Sequence, residues 1–162
     1  MKKVGIVMGS DSDLPVIQKA TDLLKKLEIP FEVHVYSAHR TPEQARQFAS
    51  SARENGFGVL LAAAGMAAHL AGAIAANTTL PVIGIPCKGP VLDGMDALLS
   101  TVQMPSGIPV ATVGINNGAN AALLAAEILA VEDAALAERL QHKRNQDTAA
   151  VLEKDAGIAA RL

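Results

Sequence analysis

The sequence predicts an α/β fold built on one parallel sheet. Three observations carry the prediction. Short apolar runs read as strands, stretches of helical period separate them, and glycine-, serine- or proline-containing turns follow the runs. Five such strands alternating with helices imply a sheet covered on both faces. Right-handed crossovers leave few topologies, and the order 2-1-3-4-5 puts the second strand at an edge.

Val4 to Met8 is the first strand, an apolar run suited to burial on both faces. Gly9-Ser10-Asp11-Ser12-Asp13 supplies turn and capping residues. Val16, Ile17, Ala20, Leu23, Leu24 and Leu27 then recur at helical spacing, and Ile29-Pro30 closes that helix. From Phe31 to Tyr36 the side chains alternate, as on a half-exposed edge strand. Thr41 fits an N-cap, Pro42 the first helical position and Gln44 the third, which would complete a capping box. Ala45, Phe48, Ala49 and Ala52 form the buried stripe of that helix, and Gly56 fits its C′ position.

Val59 to Ala63 reads as the third strand, followed by a helix through about Asn77. Pro81 to Ile85 is the fourth strand, and a loop from Pro86 to Asp93 leads to a helix near Met95 to Val102. Pro109 to Ile115 is the fifth strand, and Asn116-Asn117-Gly118 opens the helix Ala121 to Val131. A charged, Ala-rich helix follows, roughly from Asp133 to Lys154. With no internal linker, repeat or low-complexity segment, one domain over residues 1–162 is expected.

Composition excludes several functions. Three Phe, one Tyr and no Trp leave no stacking platform for bases, and a net charge of −2 gives no basic footprint, so nucleic acid is not an expected partner. The single cysteine, Cys87, cannot form an intrachain disulfide and has no adjacent base, so it reads as packing. From Phe57 to Ala76 the only polar side chain is His69, long enough for a membrane span. Its glycines and alanines fit a buried strand, a turn and an Ala-rich helix better. With no signal segment after Met1-Lys2-Lys3, a cytoplasmic location is expected. The histidines lack metal-ligand spacing, and no metal site is expected.

Ligands of such sheets bind outside the carboxyl ends of the strands. The loops Gly9–Asp13, Ser37–Pro42 and Gly65–His69 all follow strands and should converge on one rim. Gly9–Asp13 has two readings: backbone N–H groups and the Ser10 and Ser12 hydroxyls receiving a phosphate, or ordinary capping. On the first, Asp13 accepts from sugar hydroxyls and Asp11 turns to solvent. In Ser37-Ala38-His39-Arg40-Thr41-Pro42, His39 offers a proton shuttle near neutral pH and Arg40 a two-pronged anion grip. Either alone reads better as a surface residue; adjacent on the ligand rim, they suggest acid–base chemistry on an anionic small molecule. His69, read alone, fits a core histidine bonded to backbone better than a catalyst.

Together these loops resemble a known family, the class I N5-carboxyaminoimidazole ribonucleotide mutases of de novo purine synthesis. Met8 to Asp13 is similar to its GSxSD signature, and Ser37 to Pro42 reads SAHRTP, matching its central motif. Gly65 to Gly72 reads GMAAHLAG, similar to GGAAHLPG, and Leu98 to Thr112 is close to the family's loop and last strand. Met66 stands where the motif has glycine and Ala71 where it has proline, which alters the loop's shape.

The resemblance implies a flavodoxin-like three-layer α-β-α sandwich, a homo-octamer, a small ribonucleotide substrate and no cofactor. It implies that a carboxylate moves from the exocyclic nitrogen of an aminoimidazole ribonucleotide to ring carbon C4, by loss and recapture of carbon dioxide. By position His39 would manage the protons, and Ser10, Asp13 and Arg40 would contact phosphate and ribose. Ser37 and His69 would line the pocket. The alternative is direct carboxylation by dissolved carbon dioxide, as in class II enzymes, which carry lysine at the Arg40 position and lack the triplet Ala68-His69-Leu70. A phospho-receiver or flavin module fits less well: the third strand ends in alanines and aromatics are few. The helix after His69 and the fifth strand are too apolar for water, and the C-terminal helix over 133–162 is expected to pack on a neighbouring chain.

Overall fold

The computed structural model describes residues 1–159 and 161. Its sheet is parallel throughout and runs β2-β1-β3-β4-β5, as expected: β1 Lys3–Met8, β2 Phe31–Val35, β3 Phe57–Gly65, β4 Val82–Cys87 and β5 Ala111–Thr112. The helices are α1 Leu14–Lys26, α2 Pro42–Ser51, α3 Leu70–Ala75, α4 Met95–Val102, α5 Gly118–Ala130 and α6 Ala134–Ala159. This is the flavodoxin-like α/β arrangement.

Each face of the sheet carries its own core. Val4, Ile6, Leu61 and Ile83 meet Ile17, Leu24 and the alanines of α5 on one side. Val7, Leu60 and Ala62 meet Ala45, Ala49 and Ile74 on the other. Ile17 and Leu24 are fully buried, and each contributes about 1.5–3 kcal/mol by leaving water. Alanine is the main helix residue at these seams, so helices and sheet approach closely without large side chains. At Gly118 the approach is backbone to backbone: an added Cβ would lie 2.1 Å from the Val16 carbonyl oxygen of α1.

Several boundaries differ from the expectation. β5 shrinks from Pro109–Ile115 to two residues, because only Ile83 and Gly84 of β4 offer it pairing partners. α3 ends at Ala75 rather than Asn77, while β3 runs on to Gly65. Thr41 and Pro42 do occupy N-cap and N1 of α2, but no capping box forms. The Thr41 hydroxyl turns back, accepting from Ser37 N–H at 2.8 Å and donating to Ser37 O at 3.2 Å. Gly56 is left-handed (φ +81°) yet lies beyond the C-cap Ala52, ending the turn that re-enters the sheet. The outer face of β2 is covered too: His34 stacks on Tyr36 with centroids 5.0 Å apart, and Phe48 of α2 edges onto His34. No helix among the described residues is long and apolar enough to cross a membrane.

Candidate active site

The three loops do converge. They line a cavity of about 680 Å³ at the carboxyl ends of β1, β2, β3 and β4, containing Ser10, Asp13, Ser37, His39, Arg40 and His69. That volume suits a small organic ligand. All six residues singled out from the sequence therefore meet in one place.

The β2–α2 loop is built around Ser37. Its Oγ accepts from the backbone N–H of His39 (3.3 Å) and of Arg40 (3.1 Å), while Thr41 N–H returns to Ser37 O at 3.0 Å. A serine turn of this kind fixes the direction in which the two side chains leave the backbone. Arg40 Nη2 then donates to Gly9 O at 2.9 Å, joining this loop to the one after β1. Guanidinium carries five N–H donors, so this bond leaves others for an anion.

His39 meets His69 across the cavity. His39 Nε2 lies 2.9 Å from His69 Nδ1, with the rings edge to face. One nitrogen must donate and the other accept, so the rings share a single proton in this contact. His69 is exposed rather than a core histidine. The apolar context that suggested burial belongs to its neighbours Ala68 and Leu70, which are buried. The turn at 65–69 lifts the intervening ring out of that core.

The Gly9–Asp13 loop closes partly on Ser10. Ser12 N–H donates to Ser10 Oγ at 3.3 Å, and Asp13 N–H to Ser10 O at 3.1 Å. Ser10 thus caps the short turn that follows it. Asp11 is exposed, as expected, and accepts from Ser10 Oγ at 3.2 Å. Asp13 is only partly exposed, and burial pushes its carboxyl above the usual carboxylate range. Donors from Cys87 and Ser10 offset part of that rise, and Asp11 adds to it.

One stretch of wall was missed from the sequence. Lys88, Gly89 and Pro90 close the cavity beyond β4, and the rule that ligands sit past the strand ends could have flagged them. Lys88 N–H donates to Asn116 Oδ1 at 2.9 Å, and its ammonium pairs with Asp93 at 2.6 Å. Cys87 is buried, as its packing reading required, and its Sγ lies 3.6 Å from the Ile85 carbonyl. Among the described residues no group of His, Cys, Asp or Glu side chains is arranged to hold a metal ion.

Residues 3–150 match the AIR carboxylase family. The chain belongs to that family. Among its relatives, the N5-carboxyaminoimidazole ribonucleotide mutase of Pyrococcus abyssi is 55% identical over 144 residues, covering 89% of this chain and 83% of the relative. The mutase of Thermotoga maritima is 49% identical, covering 95% of this chain and 90% of the relative. The phosphoribosylaminoimidazole carboxylase of Saccharomyces cerevisiae is 54% identical over 85% of this chain, which spans only 24% of that longer protein. The crystal structure of Treponema denticola PurE superposes with a TM-score of 0.86 at 28% identity, over 95% of this chain and 96% of that one. The AIR carboxylase family thus accounts for the sheet and its loops together.

Proposed function

We propose that the chain is an N5-carboxyaminoimidazole ribonucleotide mutase, moving a carboxylate from the exocyclic nitrogen to ring carbon C4 in purine biosynthesis. The observation that carries the reading is the His39–His69 pair facing into the four-loop cavity. The identity of 49–56% to mutases over most of the chain supports it.

The chemistry asks for one proton to be lent and returned. Protonating the carbamate nitrogen lets its C–N bond break, releasing carbon dioxide and the neutral amine. Ring carbon C4 then attacks carbon dioxide, and the proton on C4 must leave to restore aromaticity. A single group can donate in the first step and accept in the last. In this reading His39 is that group, and His69, sharing a proton with it at 2.9 Å, sets its tautomer. Arg40 and Ser10 contact the phosphate, Asp13 the ribose, and Ser37 holds the His39–Arg40 turn. Carbon dioxide kept beside C4 recombines as an effectively intramolecular reaction. The small walls Ala64, Gly65 and Ala67 suit a tight, water-poor pocket.

The assay is turnover of the carbamate substrate with no added bicarbonate, for the native protein and His39→Asn. Native turnover is expected, and the variant should lose it by about 10²–10⁴-fold while still binding nucleotide. Turnover only of the uncarboxylated aminoimidazole with bicarbonate would favour direct carboxylation instead. Full turnover by His39→Asn would remove His39 from the mechanism.

The same reading includes one domain over residues 1–162, a cytoplasmic location and a homo-octamer. The assembly is supported by α6. Leu136 is fully buried and Arg139 Nε donates to Leu27 O at 3.0 Å, but the helix from residue 144 to 158 is exposed, including Val151, Leu152 and Ile158. An apolar-studded helix projecting into water is poorly stabilised alone, and a neighbouring chain would cover it.

A further inference from the structure

We propose that the Met66 side chain is the wall that keeps released carbon dioxide in the site, so that it sets whether the gas is recaptured or lost. This inference rests on the mutase reading and names a residue that decides its product.

Met66 is a large apolar residue with little part in the core. Its side chain is 57% exposed and its backbone is left-handed at φ 55°, a conformation that a side chain disfavours. From Ala64 to Ala67 it is the one side chain larger than a methyl group, and all four residues line the cavity. It does have a partner across the rim. A Cβ added to Gly89 would lie 3.4 Å from Met66 Cγ and 3.9 Å from Met66 N. The side chain therefore leaves its own loop and lies against the one beyond β4, where Gly89 makes room for it. The backbone that carries it is fixed: Met66 O accepts from Ala68 N–H at 2.9 Å and from Ser100 Oγ at 3.3 Å. A pinned backbone bearing an unbranched, flexible thioether can close on whatever the cavity holds.

Carbon dioxide carries no charge and no hydrogen-bond donor, so a protein holds it by closing its exits and keeping water out. When the protonated carbamate nitrogen takes the electron pair of its C–N bond, amine and carbon dioxide are left side by side. Either C4 bonds to carbon dioxide and gives up its proton, or the gas escapes and free aminoimidazole remains. An apolar wall raises the barrier to escape alone. It takes no part in the proton transfers, which belong to His39. Its effect is on the partition between the two products, not on consumption of the carbamate.

Glycine and leucine separate the side chain from the backbone. Glycine adopts φ 55° freely, so Met66→Gly keeps the fold and removes only the wall. Leucine keeps an apolar group of similar volume. Leu92→Gly is the control, because Leu92 is exposed and left-handed like Met66 (φ 56°) but lies outside the cavity wall.

The test supplies carbamate substrate isotopically labelled at its carboxylate carbon, in unlabelled bicarbonate, and subtracts the spontaneous loss measured without protein. It reads free aminoimidazole formed per C4-carboxylated product, and the label retained in that product. The native chain should retain its label. Met66→Gly should release about tenfold more free aminoimidazole per product, the low end for one missing apolar group because Met66 is half open to solvent. Its consumption of carbamate should stay near native. Met66→Leu and Leu92→Gly should partition as the native chain does. A native partition in Met66→Gly, equal leakage in Leu92→Gly, or leakage in Met66→Leu equal to that of Met66→Gly overturns the inference and leaves the mutase reading standing. Scrambled label in the native product overturns it as well. No C4-carboxylated product from the native chain overturns the mutase reading and the inference together.

Discussion

Replacing Gly118 by alanine tests how the fold positions the site. Gly118 is the first residue of α5, and an added Cβ would lie 2.1 Å from Val16 O, 3.1 Å from Val16 C and 3.5 Å from Ala20 N, all backbone atoms of α1. No side chain can rotate away, so the helices must part by about 1 Å before the nearest contact becomes tolerable. Such overpacking costs about 3 kcal/mol, the upper end of the usual range because backbone must move. For a chain of this length that lowers Tm by about 6–12 °C. α1 begins immediately after Ser10–Asp13, so the shift also displaces that loop, and a misplacement of about 1 Å can cost up to 100-fold in rate. Differential scanning calorimetry reads the first effect and kcat/KM the second. Gly114→Ala is the control: its Cβ would find only Asn117 atoms, at 3.9 and 4.0 Å, so stability should change by less than about 0.5 kcal/mol. A Gly118→Ala Tm within about 2 °C of native would refute direct backbone contact between α1 and α5.

Met66→Gly should stabilise the fold. Met66 is 57% exposed with φ 55°, so its side chain gains little while the left-handed backbone costs about 1–2 kcal/mol. Glycine returns part of that gain as unfolded-state entropy, leaving a Tm rise of about 2–4 °C; a lower Tm would count against the strain. Light scattering at micromolar concentration should give an assembly larger than one chain, and a monomer would contradict the packing of α6 on a neighbour.

The sheet order was legible because four strands were apolar runs and the second alternated, each ended by a turn, and because handedness restricts crossovers. The rim position of His39 and Arg40 followed from that order alone. What the sequence concealed was contact between loops. Nothing local says that His39 reaches His69, thirty residues on, or that Arg40 reaches the Gly9 carbonyl. Sequence period also misjudged His69, because a turn breaks the helical phase that its apolar neighbours suggest. Thr41 shows the same limit on a smaller scale. Its hydroxyl had two partners within reach, the helix ahead and Ser37 behind, and tertiary need for a fixed His39–Arg40 turn is met by the second.

One left-handed residue, Met66, lies in the wall of this cavity. Of the non-glycine residues with left-handed backbone, Glu28 closes a helix, whereas Met66, Leu92, Asp93 and Asn116 lie in loops beyond β3, β4 and β5. For Met66 and Leu92 that conformation costs about 1–2 kcal/mol each, whereas Asp93 and Asn116 adopt it more readily. Specific bonds hold it there. Ser100 Oγ donates to Met66 O at 3.3 Å, Asn116 N–H to Pro86 O at 2.9 Å, and Lys88 is tied to both Asn116 and Asp93. Strain persists only where surrounding contacts over-determine a conformation, and it concentrates where function needs a fixed shape. In the mutase reading, carbon dioxide released and recaptured within the site would need such a shape. The departure Met66 belongs to this same economy: a left-handed site that glycine would occupy freely is held here by a methionine, and the loop's bond to Ser100 keeps it in place.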